Sequence, residues 1–344
     1  MKVLLFATVL SLVGTCASKR HTEKIQDIKD NIRFEDSNYI NEYANSITAQ
    51  ELSNHVYHIS SDEFEGRKTG EQGHYKAAHF LKDYYISENI GSPLGQENYY
   101  QQIPEPYFPD GIKSSQNILA FIEGSEYPEE IVIISAHLDH LGIDDATIFN
   151  GADDNGSGTA ALLEMAQAFK KAELAGFGPK RSILFLHLTG EEEGLIGSRY
   201  YSDHPVFSLD ETVVNLNIDM IGRVDENHAD NPNYIYIIGA DRLSTELHYI
   251  SEAVNSNFTN LTLDYTLNSD SDTNRYYYRS DHYNFALNDI PVIFYFSGEH
   301  ADYHLATDTA EKLDYELLEK RTQLIFSTAW YIANSEFRLI ADKS

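Results

Sequence analysis

The sequence predicts an α/β fold in which a mostly parallel central sheet carries helices on both faces. Two observations support this prediction: short apolar runs recur along the chain, and helical patterns separate them. A continuous apolar run of strand length is typical of a strand that is buried on both faces of a parallel sheet. Buried strands that alternate with helices form a layered α/β domain. The predicted strands cover residues 118–122, 131–135, 182–188, 213–218, 234–238 and 291–296.

Four helices are predicted around these strands. The first is expected near residues 46–57, and the second extends from Gln72 to Ile86. The third runs from Thr159 to Phe169, and the last covers about residues 311–335. In the last three, apolar residues recur every three or four positions, so one face of each helix can pack on the sheet.

The chain is strongly acidic. Its 54 Asp and Glu residues exceed its 25 Lys and Arg residues, and the formal net charge is −29. A surface of this sign repels a phosphate backbone, so we expect no nucleic-acid partner.

The first residues resemble an export signal. Lys2 precedes an apolar run from Val3 to Val13, and small residues follow the run. This order is that of a secretory signal peptide, and the run is too short to span a bilayer. We therefore expect an exported protein that is either secreted or held at the cell envelope.

Cys16, the only cysteine, lies directly after this apolar region. The segment from Val13 to Cys16 resembles the lipidation motif of bacterial lipoproteins, although Thr15 replaces the smaller residue that is usual before the cysteine. Two interpretations stay open. Cys16 is lipidated and anchors the chain to a membrane, or the signal is cleaved after Ala17 and Cys16 is lost.

Acidic residues and histidines recur just after the predicted strands. In parallel sheets, ligands bind outside the carboxyl ends of the strands, so these side chains are expected to converge at one edge of the sheet. The residues concerned are His137, Asp139, His140, Asp153, Asp154, Glu191, Glu192, Glu193, Asp219, Glu299, His300, Asp302, Tyr303 and His304.

Such a convergence favours a metal site. Carboxylates in one cleft repel one another, and a divalent cation offsets that repulsion. Histidine and carboxylate ligands without a thiolate suit zinc in hydrolytic sites. Asp139 lies two residues after His137, so its carboxylate can accept the second imidazole N–H and orient the ring.

Each motif also has an ordinary structural explanation. The Asp-Asp-Asn-Gly segment at residues 153–156 is typical of a turn and a helix N-cap. The three glutamates at residues 191–193 are typical of a solvated helix start. The joint placement of these motifs at strand ends outweighs the separate explanations and favours a catalytic centre.

Together the motifs resemble the zinc aminopeptidase family of the bacterial leucyl aminopeptidases, metallopeptidase family twenty-eight, whose relatives include glutamate carboxypeptidase II. The resemblance covers about residues 48–335. The matching motifs are Ser61–Arg67 with Gly70, His137–Asp139, Gly151–Gly158, Glu191–Ser198, Asp219–Gly222, Ser280–His282 with Phe285, and Tyr303–His304.

The resemblance implies a single zinc-exopeptidase-like domain that holds two Zn²⁺ ions. It assigns His137 and Asp219 to one zinc ion and Glu192 and His304 to the other, with Asp154 bridging both. The remaining implied roles are those of Glu191 as general base, Asp139 as the residue that orients His137, and Tyr303 as a donor to the oxyanion. Family members often have a cis peptide bond after the bridging aspartate, here between Asp154 and Asn155.

The register of the glutamates follows from the same resemblance. In the family, the base and the ligand are followed by one variable residue and then by Gly-Leu-x-Gly. Gly194-Leu195-Ile196-Gly197 places Glu193 at the variable position. The alternative register makes Glu192 the base and Glu193 the ligand.

The implied function is an exopeptidase, most simply an aminopeptidase that acts on peptides with a free N-terminus. One alternative is a carboxypeptidase or dipeptidase of the same superfamily. It would need a cation for the substrate's C-terminus, and Arg223, Arg275 and Arg279 are the near candidates. A single-zinc glutaminyl cyclase is disfavoured by the full set of ligands. The alternative from another class is a noncatalytic envelope binding protein on the same fold.

The resemblance and the export signal together divide the chain. We expect a signal peptide of the lipoprotein type over residues 1–16, a tether over residues 17–45 and a co-catalytic zinc peptidase domain over residues 46–340. Residues 225–280, which include Tyr276, Tyr277 and Tyr278, match no motif. They form either a wall of the specificity pocket or plain surface.

Overall fold

The computed structural model describes residues 22–95 and 97–343. Its largest sheet has eight strands in the order β1-β2-β6-β3-β7-β10-β8-β9, and β4 and β5 form a separate hairpin. The strands are β1 (Tyr100–Ile103), β2 (Ser115–Ile122), β3 (Tyr127–His137), β4 (Gly142–Asp144), β5 (Thr147–Phe149), β6 (Arg181–Leu188), β7 (Thr212–Ile218), β8 (Tyr234–Ile238), β9 (Thr262–Asp264) and β10 (Val292–Phe296).

The four central strands, β6, β3, β7 and β10, are parallel to one another. Antiparallel pairs join this centre to β2 on one side and to β8 on the other. The sheet is therefore mixed at its edges and parallel at its centre, and the carboxyl ends of the four central strands meet at one edge.

Helices lie on both faces of the sheet. They are α1 (residues 22–31), α2 (Ser37–Ala44), α3 (Ala49–Ile59), α4 (Gln72–Ser87), α5 (Gly158–Leu174), α6 (Ile196–Asp203), α7 (Thr245–Val254), α8 (His282–Ala286) and α9 (Tyr315–Asn334). Hydroxyl or carboxylate side chains cap the first turns of α3, α7 and α9, where Thr48, Ser244 and Asp314 accept backbone N–H groups.

The two faces are packed by alternate residues of the strands. In β3, Val132 and Ile134 belong to the core under α3, α5 and α9, whereas Ile131 and Ile133 belong to the core under α6 and α8. Burying an aliphatic side chain of this size contributes about 1.5–3 kcal/mol. This two-sided burial explains why the central strands are apolar at successive positions.

The predicted fold class is confirmed. Each of the six predicted strands overlaps an observed one, and the four predicted helices correspond to α3, α4, α5 and α9. The sequence did not predict β1, β9, the β4–β5 hairpin or the short helices α6 to α8.

The structure describes only part of the N-terminal segments that the sequence predicts. The predicted signal peptide and Cys16 lie outside the described residues. Residues 37–44, which were expected in the tether, form α2, and its Ile40 and Tyr43 are buried. The ring of Tyr43 stacks on Trp330 of α9 at 5.5 Å. This part of the predicted tether therefore belongs to the folded domain, because its apolar side chains complete the core.

None of the helices in the described part of the chain combines the length and the apolar composition that a membrane-spanning segment needs.

Candidate metal centre

The carboxyl edge of the central strands brings the predicted residues together. His137 ends β3, the glutamate segment follows β6, and Asp219 follows β7. His304 lies in the loop after β10, and Asp154 lies in the irregular segment that leads into α5. The parallel order of the strands thus positions five side chains that are distant in sequence.

The Asp154 carboxylate lies between two groups of side chains. Its Oδ1 is 3.3 Å from His137 Nε2, which is 3.2 Å from Asp219 Oδ1. Its Oδ2 is 3.2 Å from His304 Nε2, which is 3.1 Å from Glu192 Oε2. The two groups share only Asp154, and they are the groups that the resemblance implies.

These distances fit two metal ions. Zinc binds nitrogen and oxygen at about 2.0–2.2 Å in a tetrahedral arrangement, so two ligand atoms on one ion lie roughly 3.3–3.6 Å apart. The separations of 3.1–3.3 Å between the facing atoms lie close to this range. Asp154 is 2% exposed, and its Oδ2 has no hydrogen-bond partner among the described residues. A buried carboxylate oxygen in this state suits a cation.

A further imidazole, which the sequence did not assign, joins the second group. His140 Nδ1 lies 2.9 Å from Glu192 Oε1 and 3.6 Å from Asp154 Oδ2. The only sequence signal was its position three residues after His137, which is not distinguishable from that of a surface histidine.

The loop that carries Asp154 is held by another carboxylate. Asp308 accepts the backbone N–H groups of Asp153 and Asp154 at 3.0–3.1 Å. Asp153 in turn accepts the N–H of Gly222 at 2.6 Å, which ties this loop to the one after β7. The peptide bond between Asp154 and Asn155 is cis.

Asp139 differs from the role expected for it. His137 Nδ1 is 3.0 Å from the main-chain oxygen of Asp139 but 3.9 Å from its carboxylate. The carboxylate instead accepts Thr69 Oγ1 at 2.9 Å and the N–H groups of Glu191 and Glu192 at 3.2 and 3.3 Å. Burial raises the pKa of Asp139 to about 6. Its backbone therefore orients the histidine, and its side chain fixes the glutamate segment.

Arg67 is fully buried beside the centre. Its guanidinium donates to the carbonyl oxygens of Ile59, Leu138, Asn150 and Gly151 at 2.7–2.9 Å. Burial lowers its pKa to about 10, and the nearby carboxylates of the centre oppose that shift. The guanidinium thus joins the segment before α4 to two metal-site loops and adds positive charge next to the carboxylates. In the sequence, Arg67 was marked only by its place in the first family motif.

A chain of polar side chains supports Asp219. Ser280 Oγ donates to Asp219 Oδ2 at 2.8 Å and accepts Asn217 Nδ2 at 2.9 Å. Asn217 Oδ1 accepts Ser135 Oγ at 2.7 Å, and Ser135 Oγ accepts Asn215 Nδ2 at 2.8 Å. The buried asparagines of β7 are therefore linked through Ser135, and Ser280 connects them to the Asp219 carboxylate and holds it in place.

A pocket opens next to the two groups. Its lining combines the charged side chains of the centre with aromatic residues of β10 and of the segment before α8. The lining residues are Asp154, Glu191, Asp219, Met220, Tyr276, Arg279, Phe294, Phe296, Glu299, Tyr303 and His304.

The pKa values of Glu191 and Tyr303, the pocket residues with proposed roles in proton transfer, are both raised. Burial and the neighbouring carboxylates of Asp219 and Glu192 raise the pKa of Glu191 well above its usual range. Burial and nearby carboxylates also raise the pKa of Tyr303, whose ring stacks on His304 at 3.9 Å. The Tyr303 hydroxyl therefore stays protonated at neutral pH and can donate a hydrogen bond.

One of the three candidate arginines reaches the pocket. Arg279 lines it, pairs with Glu299 at 2.9 Å and lies over the ring of Tyr276 at 4.7 Å. Arg223 instead pairs with Asp302 at 3.0 Å. Tyr276 belongs to residues 225–280, which match no family motif, so part of this region forms the wall of the pocket.

Comparisons with known proteins relate the chain to a family of peptidases. The sequence profile of peptidase family M28 matches residues 117–329, which is more than half of the chain. The probable glutamate carboxypeptidase LAMP1 of Arabidopsis thaliana is 36% identical over 109 residues, 31% of this chain and 15% of that protein. Aminopeptidase YwaD of Bacillus subtilis is 37% identical over 113 residues, 33% of this chain and 21% of that protein. The matched part of the chain therefore spans about a fifth or less of the length of these curated relatives.

The fold also recurs among solved structures. The LapA aminopeptidase of Legionella pneumophila has a TM-score of 0.68 at 18% identity, over 88% of this chain and 76% of that one. At this identity the likeness establishes the architecture alone.

Proposed function

The chain belongs to peptidase family M28, and from that membership and its site geometry we propose that it is a two-zinc aminopeptidase. The observation that carries the proposal is the position of Asp154. Each of its oxygens faces a different pair of one imidazole and one carboxylate. This is the arrangement that two adjacent metal ions require of a bridging ligand.

Charge balance supports two ions. Asp154, Glu191, Glu192 and Asp219 converge on one small region, and four ionised carboxylates there repel one another, which is one reason why the pKa of Glu191 is raised. Two divalent cations carry four positive charges, so together they neutralise the cluster.

The side chains divide the chemistry between them. Zinc ions bound as a pair lower the pKa of water and stabilise negative charge on the substrate carbonyl. Glu191 lines the pocket without belonging to either facing pair, so it takes the proton of the attacking water and delivers it to the leaving amine. Tyr303 donates its hydroxyl proton to the oxygen on which charge develops.

One observation favours aminopeptidase action over other exopeptidase chemistry, and a second bears on the side chain that the pocket accepts. The net charge of −29 attracts the cationic amino terminus of a peptide. Met220, Phe294 and Phe296 give the pocket an apolar wall for the side chain of the first residue. The substrates are therefore peptides with a free amino group and an apolar first side chain.

A carboxypeptidase is the second candidate, because Arg279 lies in the pocket and could hold a substrate carboxylate. The Arabidopsis relative bears that name. Glu299 already neutralises Arg279 at 2.9 Å, which weakens this candidate.

Blocked substrates separate the candidates. The zinc-loaded protein should hydrolyse leucyl-anilide and peptides with an amidated C-terminus, and it should leave the matched N-acetylated substrates intact. Removal of zinc with a chelator should abolish hydrolysis, and added zinc should restore it. Cleavage of acetylated peptides but not of amidated ones would instead identify a carboxypeptidase. Zinc-loaded protein that cleaves none of them would support a binding protein.

The proposal includes export, which rests on the N-terminal sequence alone. Residues 1–16 would be the signal peptide, and a lipid on Cys16 would hold the enzyme at the envelope. The folded chain from α2 onwards would then face peptides outside the cytoplasm.

A further inference from the structure

His140 has a place in the site that the five-residue ligand set leaves unexplained. Its side chain is fully buried, and its Nδ1 faces two carboxylates, those of Glu192 at 2.9 Å and Asp154 at 3.6 Å. An imidazole nitrogen with a free lone pair would be repelled by carboxylate oxygens. The Nδ1 atom must therefore carry either a proton or a metal ion.

The surrounding distances fit a metal ion. Around the second group, the four separations between facing nitrogen and oxygen atoms are 2.9, 3.1, 3.2 and 3.6 Å. Three of them, at 2.9–3.2 Å, are slightly shorter than the roughly 3.3–3.6 Å expected between ligands of one tetrahedral zinc ion, and the fourth lies at the upper end of that range. His140 and His304 both point a nitrogen at Asp154 Oδ2, and their ring planes differ by 66°. The two imidazoles thus converge on one point.

The backbone is shaped to hold this ring. A Cβ atom at Gly151 would lie 2.5 Å from Cγ of His140, which is too close for any side chain. Gly151 also has a φ of 53° and gives its carbonyl to Arg67 at 2.9 Å. The glycine therefore makes room for the imidazole and fixes it against the loop that carries Asp154.

We propose that His140 binds, through Nδ1, the zinc ion held by Glu192 and His304. That ion then has four protein ligands, His140, His304, Glu192 and Asp154. The other ion has three, His137, Asp219 and Asp154. A zinc ion with four protein ligands is closed, whereas one with three keeps a position open for water or substrate. The two centres are therefore unequal, and the His140 centre retains its metal longer. The inference rests on the two-zinc function proposed above.

Zinc X-ray absorption on fully loaded protein tests the assignment, because it counts imidazoles. His137, His140 and His304 on two ions give about 1.5 imidazoles per zinc, whereas the five-residue set gives about one. His140→Ala should lower the count to about one. His187→Ala is the matched control, since His187 is equally buried but bonds Tyr85 away from the centre. It should leave the count unchanged.

A second variant separates a ligand from a hydrogen-bond donor. In His140→Asn, the amide nitrogen takes about the place of Nδ1 and can still donate to Glu192. If His140 is a ligand, this variant should lose the more tightly held zinc as readily as His140→Ala, with affinity reduced by more than roughly 100-fold. Wild-type zinc affinity in His140→Asn would overturn the proposal.

The outcomes also distinguish the inference from the function on which it rests. Two zinc ions with about one imidazole each would refute the role of His140 and leave the two-zinc function standing. At most one zinc per loaded, fully active chain would refute both.

Discussion

The three consecutive glutamates offer the sharpest test of the proposed function, because the structure gives each a different environment. The Glu192 carboxylate faces two imidazoles at 2.9 and 3.1 Å. Glu191 lines the pocket beside the same centre, and Glu193 is partly exposed. Replacing each in turn by glutamine keeps the size of the side chain and removes its charge.

The expected magnitudes differ accordingly. Glu191→Gln removes the proton acceptor, which should lower kcat by about 10²–10⁴-fold, or roughly 2.7–5.5 kcal/mol of barrier. It also takes one negative charge from a cluster of four, so zinc affinity should fall only modestly. Glu192→Gln removes a metal ligand and should release one zinc ion. Glu193→Gln should change kcat by less than about twofold, since exposed substitutions rarely matter.

Two measurements on each purified variant decide the matter: zinc per chain by elemental analysis, and turnover of leucyl-anilide. Thermal unfolding serves as the control that each variant is folded. The assignment is wrong if Glu193→Gln releases zinc while Glu191→Gln retains wild-type turnover. That pattern would shift the base to Glu192 and the ligand to Glu193.

Three further predictions concern the pocket, acid stability and the N-terminus. Tyr276→Ala should lower kcat/KM for leucyl-anilide by roughly 10-fold relative to alanyl-anilide, because a lost apolar contact is worth about 1–3 kcal/mol; an equal loss on both substrates would remove Tyr276 from the specificity pocket. Burial lowers the pKa of His187 to about 3. Below the unfolded pKa of about 6.5, the unfolded chain therefore binds a proton that the native chain does not bind. The free energy of unfolding then falls with decreasing pH by about 1.4 kcal/mol per pH unit. Urea unfolding between pH 6.5 and 4.5 should therefore show a shallower fall for His187→Gln than for wild type, while the exposed His79→Gln should match wild type; equal slopes for all three would contradict the effect. Mass spectrometry of the native protein should find a lipid on an N-terminal Cys16, and an unmodified chain that starts at Ser18 would count against it.

The sequence could predict the central strands of the sheet, because a strand that is buried on both faces is apolar at successive positions. The run from Ile131 to Ser135 is such a strand, and the metal-site motif begins just after it. The short edge strands β1 and β9 lack such an apolar run, since they are only four and three residues long. Their pairing depends on the neighbouring strand rather than on their own composition.

Contacts between residues that are distant along the chain could not be predicted from the sequence, for a different reason. Arg67 is separated by 71 residues from Leu138, and Ser280 by 61 from Asp219. Their side chains acquire partners only when the fold is complete. Asp139 shows the same limit at short range, because the backbone angles of a loop decide whether a carboxylate or a carbonyl faces the ring of His137.

The buried guanidinium of Arg67 shows which part of the chain must be kept together if the active site is moved to another protein. The stretch that matches the family profile begins at residue 117, yet Arg67 and Thr69 bind the loops of the centre from upstream of it. A fragment limited to the matched stretch would leave the carbonyls of Leu138, Asn150 and Gly151 and the carboxylate of Asp139 without these donors. Each such loss costs about 1–3 kcal/mol. Grafting this active site onto another scaffold therefore requires the preceding segment from α3 to α4 as well, even though that segment supplies none of the proposed ligands.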